Sequence, residues 1–150
     1  MEGPVISTID LVLQDGMRFE ATDAMGAVAT LDAAPPLGQC AGLTPMEFLL
    51  AGLGGCTAMD VISILRKKRL EVTDYRVEVM GTKASDHPKV YTEIAIRHIV
   101  TGPDIPDEAV RRSIELSEEK YCSAYAMLRQ SARISTTFEV RSSQAVAAAS

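Results

Sequence analysis

Apolar and polar positions alternate in three short runs near the start of the chain. The runs are VISTIDLVL, MRFEAT and AVATLD, separated by Asp15-Gly16 and by residues 23–26. Alternation with a period of two is typical of half-buried β-strands, and Asp and Gly between such runs indicate hairpin turns. The pattern therefore predicts an N-terminal antiparallel sheet.

A long apolar segment follows a loop rich in proline and glycine. Thr44 can cap a helix and Pro45 suits a first helical turn, so we predict a helix that begins there and ends near Arg69. From residue 46 to residue 65 the segment is apolar on nearly every side, and such a length could span a bilayer. Asp60 makes insertion costly, by about 2.5–3.5 kcal/mol, so we predict no membrane contact. A helix that is apolar all round needs burial all round, which in a chain of this size favours an intimate homodimer.

Alternation returns after the helix. The segments YRVEVM and VYTEIAI predict two strands of a hairpin, and the second one places on one face Val90, Thr92, Ile94 and Ile96.

The last third of the chain changes to helical spacing. Residues 103–121 carry acids early and place four side chains on one face, which predicts an amphipathic helix: Val110, Ile114, Ser117 and Tyr121. A short helix over SAYAMLR and a strand over ISTTFEV complete the order. We therefore expect a single α+β domain over residues 1–150, with a flexible tail over about residues 142–150.

Composition and charge narrow the function. The net charge of -5 over 150 residues argues against nucleic acid as a partner. The chain does not start like a secretory signal peptide, so we expect a cytoplasmic protein. Three cysteines without a CxxC pair, together with two histidines, indicate neither a disulfide framework nor a zinc site. We predict no metal and no cofactor.

The stretch LGGCTAMD places two adjacent glycines and Cys56 inside the predicted long helix. Each glycine there costs about 1 kcal/mol relative to alanine, so a physical reason is required. Gly52 and Asp60 lie one turn either side of Cys56 and share its face, with Gly55 beside them. Small residues would let a substrate or another backbone approach the sulfur. The alternative is that Cys56 is a small core residue at a helix crossing.

A second cysteine motif, together with the first, gives the sequence a resemblance to a known family. The segments TPMEFLLAGLGGCTAMDVISILRKKR and KYCSAYAML, which carry Cys56 and Cys122, resemble the two cysteine motifs of the OsmC/Ohr family of osmotically inducible and organic hydroperoxide resistance proteins. The order of predicted elements is similar as well, over essentially the whole chain. The GGCT form of the first motif looks closest to an OsmC-like branch whose physiological role is less settled. The resemblance implies an OsmC-like fold in an intertwined homodimer.

The resemblance also implies a thiol peroxidase. Cys56 would attack an organic hydroperoxide as the thiolate and become a sulfenic acid, and Cys122 would condense with it to a disulfide. A dithiol such as dihydrolipoamide would then reduce the disulfide. Cys40, in the loop before the helix, matches neither motif.

An ordinary thiol is only a few per cent thiolate at pH 7, so a reactive Cys56 needs a cationic neighbour. The family uses an arginine held by a glutamate. Arg18 is the best match to the family's arginine, although it could be a solvated strand residue, and Arg129 and Arg133 are further candidates near the second cysteine. Glu47 is the best match to the glutamate.

Glu47 lies one residue later than the family pattern places its glutamate, because Met46 intervenes. The nine residues to Cys56 correspond to about 180° of rotation and roughly 13 to 14 Å along a straight helix. The two side chains therefore share a site only if the helix is distorted or if Glu47 acts from the other subunit. Alternatively, Glu47 is an acid that stabilises the helix N-terminus.

Two other functions remain open at this stage. A redox sensor, or a protein that binds small apolar molecules without turnover, is favoured by the lack of an arginine in the loop before the helix. A purely structural dimerisation module would leave the paired cysteine motifs unexplained.

Overall fold

A computed structural model describes residues 3–143 of the chain. The predicted α+β class and the order of elements are confirmed, with these bounds: β1 (Ile9–Asp15), β2 (Arg18–Asp23), β3 (Val28–Leu31), α1 (Pro45–Lys67), β4 (Asp74–Lys83), β5 (Tyr91–Thr101), α2 (Asp107–Leu116), a π-helical turn (Ser117–Tyr121), α3 (Ser123–Leu128) and β6 (Arg133–Arg141). The predicted tail lies outside the described residues from residue 144 onward.

The chain divides into two compact units between Leu49 and Leu50. In the first unit β1, β2 and β3 form an antiparallel sheet in sequence order. Gly16 has a φ of 57° in the turn between the first two strands, a conformation that favours glycine. The N-terminal sheet predicted from the alternating runs is thus confirmed.

Asp32 organises the loop that follows β3. Its side chain is buried, and its carboxylate accepts backbone N–H bonds from Ala33 at 2.7 Å, Gln39 at 3.2 Å and Ala41 at 3.0 Å. These bonds, led by the one from Ala41, hold the pKa of Asp32 below its usual value. The same loop presents Cys40, which is exposed.

In the second unit β5 lies in the centre of a three-stranded sheet, antiparallel to β4 and parallel to β6. One side of α1 is buried from residue 53 onward, at positions spaced by four residues: Leu53, Thr57, Val61 and Leu65. Val61 and Leu65 join side chains of β5 and α2 in the core cluster, whose other buried members are Val100, Ile105, Val110 and Ile114. This packing holds the α1 face that carries the candidate chemistry in a defined position.

The single face predicted for β5 is wrong at the start of the strand. The register advances by two residues on β5, from Tyr91 to Glu93, against one on β4, which leaves Thr92 in a β-bulge. As a result Tyr91 is buried, whereas Thr92 and Val90 are exposed.

The predicted position of Tyr121 on the same helix face as Val110, Ile114 and Ser117 is also wrong. The chain widens after α2 into the π-helical turn, and the Cys122 N–H donates to the Ser117 carbonyl at 2.7 Å. The extra residue per turn shifts the inward face by one position. Cys122 is therefore 3% exposed and Tyr121 is 51% exposed.

The single chain leaves much of α1 uncovered. Its most apolar window has a mean hydropathy of 1.8, which by length and composition would suit a membrane span, as the core helices of soluble proteins also do. Only 28% of that window is buried within the chain. The all-round burial predicted for this helix is not achieved by one chain alone.

Candidate functional site

Two thiols and a carboxylate meet where α1 approaches α3. The Sγ atoms of Cys56 and Cys122 and a carboxylate oxygen of Asp60 all lie within 4.8 Å of one another. Both cysteines are free thiols. The structure thus brings together two predicted site residues that are 66 positions apart.

Local structure explains how each thiol is positioned. Cys56 and Asp60 are four residues apart on α1 and so project from the same face. Cys122 occupies the N-cap of α3, and its Sγ accepts the Tyr125 N–H at 3.3 Å. The π-helical turn directly before it directs this cysteine inward.

Ser117 connects the π-helical turn to α1. Its Oγ lies 2.9 Å from both Thr57 Oγ1 and Asp60 Oδ2, and both Ser117 and Thr57 are buried. A hydroxyl has one proton and a carboxylate only accepts, so Ser117 donates to Asp60 and can accept from the Thr57 hydroxyl. This network fixes the Asp60 carboxylate beside the two sulfurs.

The surroundings keep Cys122 protonated. Burial raises the pKa of its thiol to about 12, and the hydrogen bond with Cys56 and the charge of Asp60 act in the same direction. The Tyr125 N–H opposes the shift. Within residues 3–143, no arginine or lysine is among the groups that shift the pKa of Cys122.

The glycines of α1 have two different roles. A Cβ on Gly54 would lie 2.7 Å from Val79 Cγ2, so this glycine permits close packing of α1 on β4. Within residues 3–143, added Cβ atoms on Gly52 and Gly55 would meet nothing closer than 4 Å. These two glycines therefore leave open space along the helix, on the side where the sequence predicted access to Cys56.

Arg18 begins β2 in the first unit. It borders a cavity of about 130 Å³ together with Asp32 and Gln39. Its positive charge contributes, after the backbone hydrogen bonds, to the lowered pKa of Asp32. Its predicted role beside Cys56 stays a prediction.

Glu47 forms a capping box with Thr44 at the start of α1. Its carboxylate accepts the Thr44 N–H at 2.9 Å, and Thr44 Oγ1 accepts the Glu47 N–H at 3.2 Å. The predicted cap at Thr44 is confirmed, and so is the alternative in which Glu47 stabilises the helix N-terminus. A second role for Glu47 in the reaction stays a prediction.

The two further arginine candidates differ in position. The Arg129 guanidinium lies 5.8 Å from the centre of the ring of Tyr125, the residue whose N–H donates to Cys122 Sγ. Arg133 pairs with Glu93 in the register of β6 and β5. Neither is among the groups that shift the pKa of Cys122 in the described chain.

Ser117 and Tyr125 are the site residues that sequence reasoning missed. Ser117 was predicted to lie on the inward face of a helix, and that spacing was the only signal for it. Nothing in the local pattern indicates the π-helical turn or the Tyr125 N–H bond to sulfur.

The fold and the paired thiols together define a class of protein. Its members are α+β proteins in which one cysteine lies on a long helix and a second cysteine lies beside it. Residues 38–137 match the family model described as OsmC-like protein. The chain therefore belongs to the OsmC-like family, as its sequence motifs implied.

Individual relatives agree with this assignment. The chain is 43% identical to Protein YhfA of Escherichia coli strain K12 over 97 residues, which are 65% of this chain and 72% of that protein. A hypothetical protein from Aquifex aeolicus VF5 has a crystal structure with a TM-score of 0.82 and 34% identity, covering 93% of this chain and 98% of that one. The organic hydroperoxide resistance protein OsmC from Legionella pneumophila shares the fold, with a TM-score of 0.68 at 11% identity over 93% of this chain and 100% of that one.

Proposed function

We propose that this protein is a cysteine-based thiol peroxidase that reduces organic hydroperoxides. The observation that carries the proposal is the approach of Cys56 Sγ and Cys122 Sγ to within 4.8 Å while both are free thiols. A disulfide needs a sulfur–sulfur distance of about 2.05 Å, so the two thiols start close together and would have to approach further to form one. The names of several structural relatives, organic hydroperoxide resistance proteins, suggest the same substrate class.

The different burial of the two thiols supports different roles for them. Cys56 is half-buried, so a peroxide can reach it, whereas Cys122 is 3% exposed. The raised pKa of Cys122 keeps that thiol protonated at neutral pH, and a protonated thiol is a poor first nucleophile. Cys56 is therefore the peroxide-reducing cysteine and Cys122 the resolving one.

The proposed reaction balances in three steps. The Cys56 thiolate attacks one peroxide oxygen, the O–O bond breaks, and the alcohol leaves with a proton while Cys56 becomes a sulfenic acid. The sulfur of Cys122 then attacks the sulfenic sulfur, and the thiol proton of Cys122 leaves with the hydroxyl group as water. A dithiol reductant of the dihydrolipoamide type then reduces the Cys56–Cys122 disulfide by thiol–disulfide exchange. Both protein thiols are restored, and the reductant becomes the disulfide.

The apolar surface of the single chain supports an intertwined homodimer as the working form. Every residue of β1 is exposed, including Ile9 at 59%, Leu11 at 53% and Leu13 at 56%, and Met59 on α1 is 73% exposed. A small sheet with apolar residues exposed on both faces is not stable alone in water. A second copy would cover these surfaces, in the cytoplasm, where thiols stay reduced.

The cation that activates Cys56 is proposed to be Arg18. Asp60 is negative beside the sulfur, so a nearby positive charge is needed to favour a thiolate. The dimer proposal allows Arg18, and Glu47 with it, to act from either subunit.

One observation favours a second function, a redox sensor or a binder of small apolar molecules without turnover. Asp60 forms no salt bridge within residues 3–143, so its charge beside the thiols is not neutralised there. If no cation reaches the site, Cys56 reacts slowly and the pair serves as a slow oxidation sensor.

The two functions separate in one experiment. We would measure the consumption of alkyl hydroperoxides driven by dihydrolipoamide for the wild type, Cys56→Ser, Cys122→Ser and the control Cys40→Ser. The peroxidase proposal expects sustained turnover by the wild type and Cys40→Ser, none by Cys56→Ser, and a single oxidation event by Cys122→Ser. Absence of turnover by the wild type would exclude the peroxidase, and a Cys56–Cys122 disulfide formed without turnover would identify the sensor.

A further inference from the structure

The cluster of Cys56, Asp60 and Cys122 has the chemistry of a metal site. We propose that the reduced protein binds one thiophilic divalent cation of the zinc type through Cys56 Sγ, Cys122 Sγ and an Asp60 carboxylate oxygen. Sulfur and carboxylate oxygen are both ordinary zinc ligands, and three protein ligands with one open position are usual for accessible zinc sites.

The distances fit such an ion. Tetrahedral zinc has Zn–S bonds of about 2.3 Å and Zn–O bonds of about 2.0–2.2 Å, so its donor atoms are roughly 3.5–3.8 Å apart. The three donor atoms here already lie within 4.8 Å of one another. Closing around an ion would therefore bring the donor atoms nearer to one another by about 1 Å at most.

Backbone structure positions all three donors. Cys56 and Asp60 are four residues apart on an unbroken stretch of α1, the spacing at which two helical side chains can hold one ion. Cys122 is held from the other side by the N-cap of α3. Ser117 donates to Asp60 Oδ2 at 2.9 Å and so orients the carboxylate, as partners of metal-bound carboxylates do.

Charge gives a second reason for the proposal. Two sulfurs that can become thiolates and one carboxylate form a partly buried group, and within the described residues Asp60 has no ion pair. In a pure thiol peroxidase, Asp60 would only oppose thiolate formation. A divalent cation would make the same carboxylate a stabilising ligand, so the metal accounts for Asp60 where the thiol reaction does not.

Metal binding is balanced in charge-carrying protons and needs no change of oxidation state. The cation replaces one proton on each thiol, the two protons go to solvent, and no electrons are transferred. Metal binding and peroxide reduction would then compete for the same sulfurs, because a coordinated thiolate is not free to attack an oxygen atom. The proposal itself does not rest on the peroxidase function, since binding requires only the reduced thiols and the carboxylate.

Cobalt(II) is the probe for the experiment. Reduced full-length protein is titrated with Co²⁺ without oxygen or peroxide, and the sulfur-to-cobalt charge-transfer absorption is followed, with Zn²⁺ added afterwards in competition. We expect one Co²⁺ per chain for the wild type and for Cys40→Ser, and no charge-transfer band for the Cys56→Ser/Cys122→Ser double variant. A band of wild-type intensity in the double variant, or no band in the wild type, would overturn the proposal.

Asp60→Asn tests the third ligand while keeping both thiols. Loss of an outer-shell partner alone costs roughly 10- to 100-fold in affinity, so loss of the ligand charge should weaken Co²⁺ binding at least about tenfold. Unchanged affinity would contradict the three-donor site.

A measurement on the wild type avoids any folding defect of the variants. Zn²⁺ should protect Cys56 and Cys122 from alkylation, as read by mass spectrometry, and should leave the exposed Cys40 reactive. If Zn²⁺ leaves the extent of alkylation at Cys56 and at Cys122 unchanged, this result would count against the site. Since no peroxide is present, a failure of the peroxidase leaves these readouts unaffected.

Discussion

Gly54 of α1 faces Val79 of β4 so closely that a Cβ on Gly54 would lie 2.7 Å from Val79 Cγ2. The contact sets how near the cysteine-bearing helix lies to its sheet. It also gives one of the two adjacent glycines of LGGCTAMD a packing role, while Gly55 leaves open space.

Gly54→Ala should therefore destabilise the protein. Overpacking costs about 1–3 kcal/mol, partly offset by about 1 kcal/mol of helix propensity, so we expect a net loss of up to about 2 kcal/mol in urea unfolding. Val79→Ala removes the clashing methyl group. The double variant should be more stable than the sum of the two single changes predicts, by about 0.5–3 kcal/mol. Simple additivity would contradict the contact.

Ser117→Ala should cost about 1–3 kcal/mol, because it leaves the Asp60 carboxylate and the buried Thr57 hydroxyl without their shared partner. Ser113→Ala is the matched control. Ser113 is equally buried, but among the described residues its hydroxyl bonds only to the Ala109 carbonyl of its own helix. The free energies of unfolding should differ clearly between the two variants, and equal losses would argue that Ser117 does not hold Asp60.

His98 should make stability fall in acid. Its side chain is fully buried, its Nδ1 lies 2.6 Å from the Tyr75 hydroxyl, and its Nε2 has no hydrogen-bond partner within residues 3–143. Burial lowers the pKa of His98 to about 4, so the unfolded state binds its proton first. The contribution of neutral His98 to the free energy of unfolding is fully present above about pH 6.5 and is lost as the pH falls through about 4. The total loss is roughly 3 kcal/mol.

The test compares the free energy of unfolding between pH 7 and pH 4. A His98→Leu/Tyr75→Phe variant removes both partners and should show a shallower decline than the wild type. His87→Gln, a change at an exposed histidine, should keep the wild-type slope. Parallel curves for the wild type and the double variant would contradict the assignment.

Cys122 should resist alkylation until high pH. Burial and the charge of Asp60 raise its pKa, so at pH 8 it should react much more slowly than the exposed Cys40 in the same molecule. Asp60→Asn removes one of these causes and should increase the rate at Cys122 without affecting Cys40. Mass spectrometry of each cysteine against pH measures this, and an unchanged rate would mean that Asp60 does not act on the thiol.

The two possible roles of Glu47 separate by activity. Thr44→Ala breaks one arm of the capping box and should cost about 1 kcal/mol of stability while keeping the Glu47 carboxylate. If Glu47 also supports the reaction, Glu47→Gln should lower hydroperoxide turnover and Thr44→Ala should not. If Glu47→Gln keeps the same hydroperoxide turnover as Thr44→Ala, Glu47 acts in the helix cap alone.

Local patterns in the sequence were sufficient for most of the elements. Period-two alternation predicted the N-terminal strands, and the cap at Thr44 with Pro45 predicted the start of α1 at the correct residue. These signals succeed because neighbouring residues interact directly through turns, caps and shared faces. The two cysteine motifs likewise identified the family before any contact was known.

Tertiary packing decided the rest. The bulge at Thr92 and the π-helical turn before Cys122 each insert one residue into a regular period, and only the fit of the packed elements selects where that happens. Asp60 is an example. Its role depends on its hydrogen bond with Ser117 and its closeness to Cys122, and local periodicity cannot predict where those two residues lie. Sequence patterns record interactions over a few residues, whereas the site forms from side chains that meet only when α1 packs beside the turn before α3.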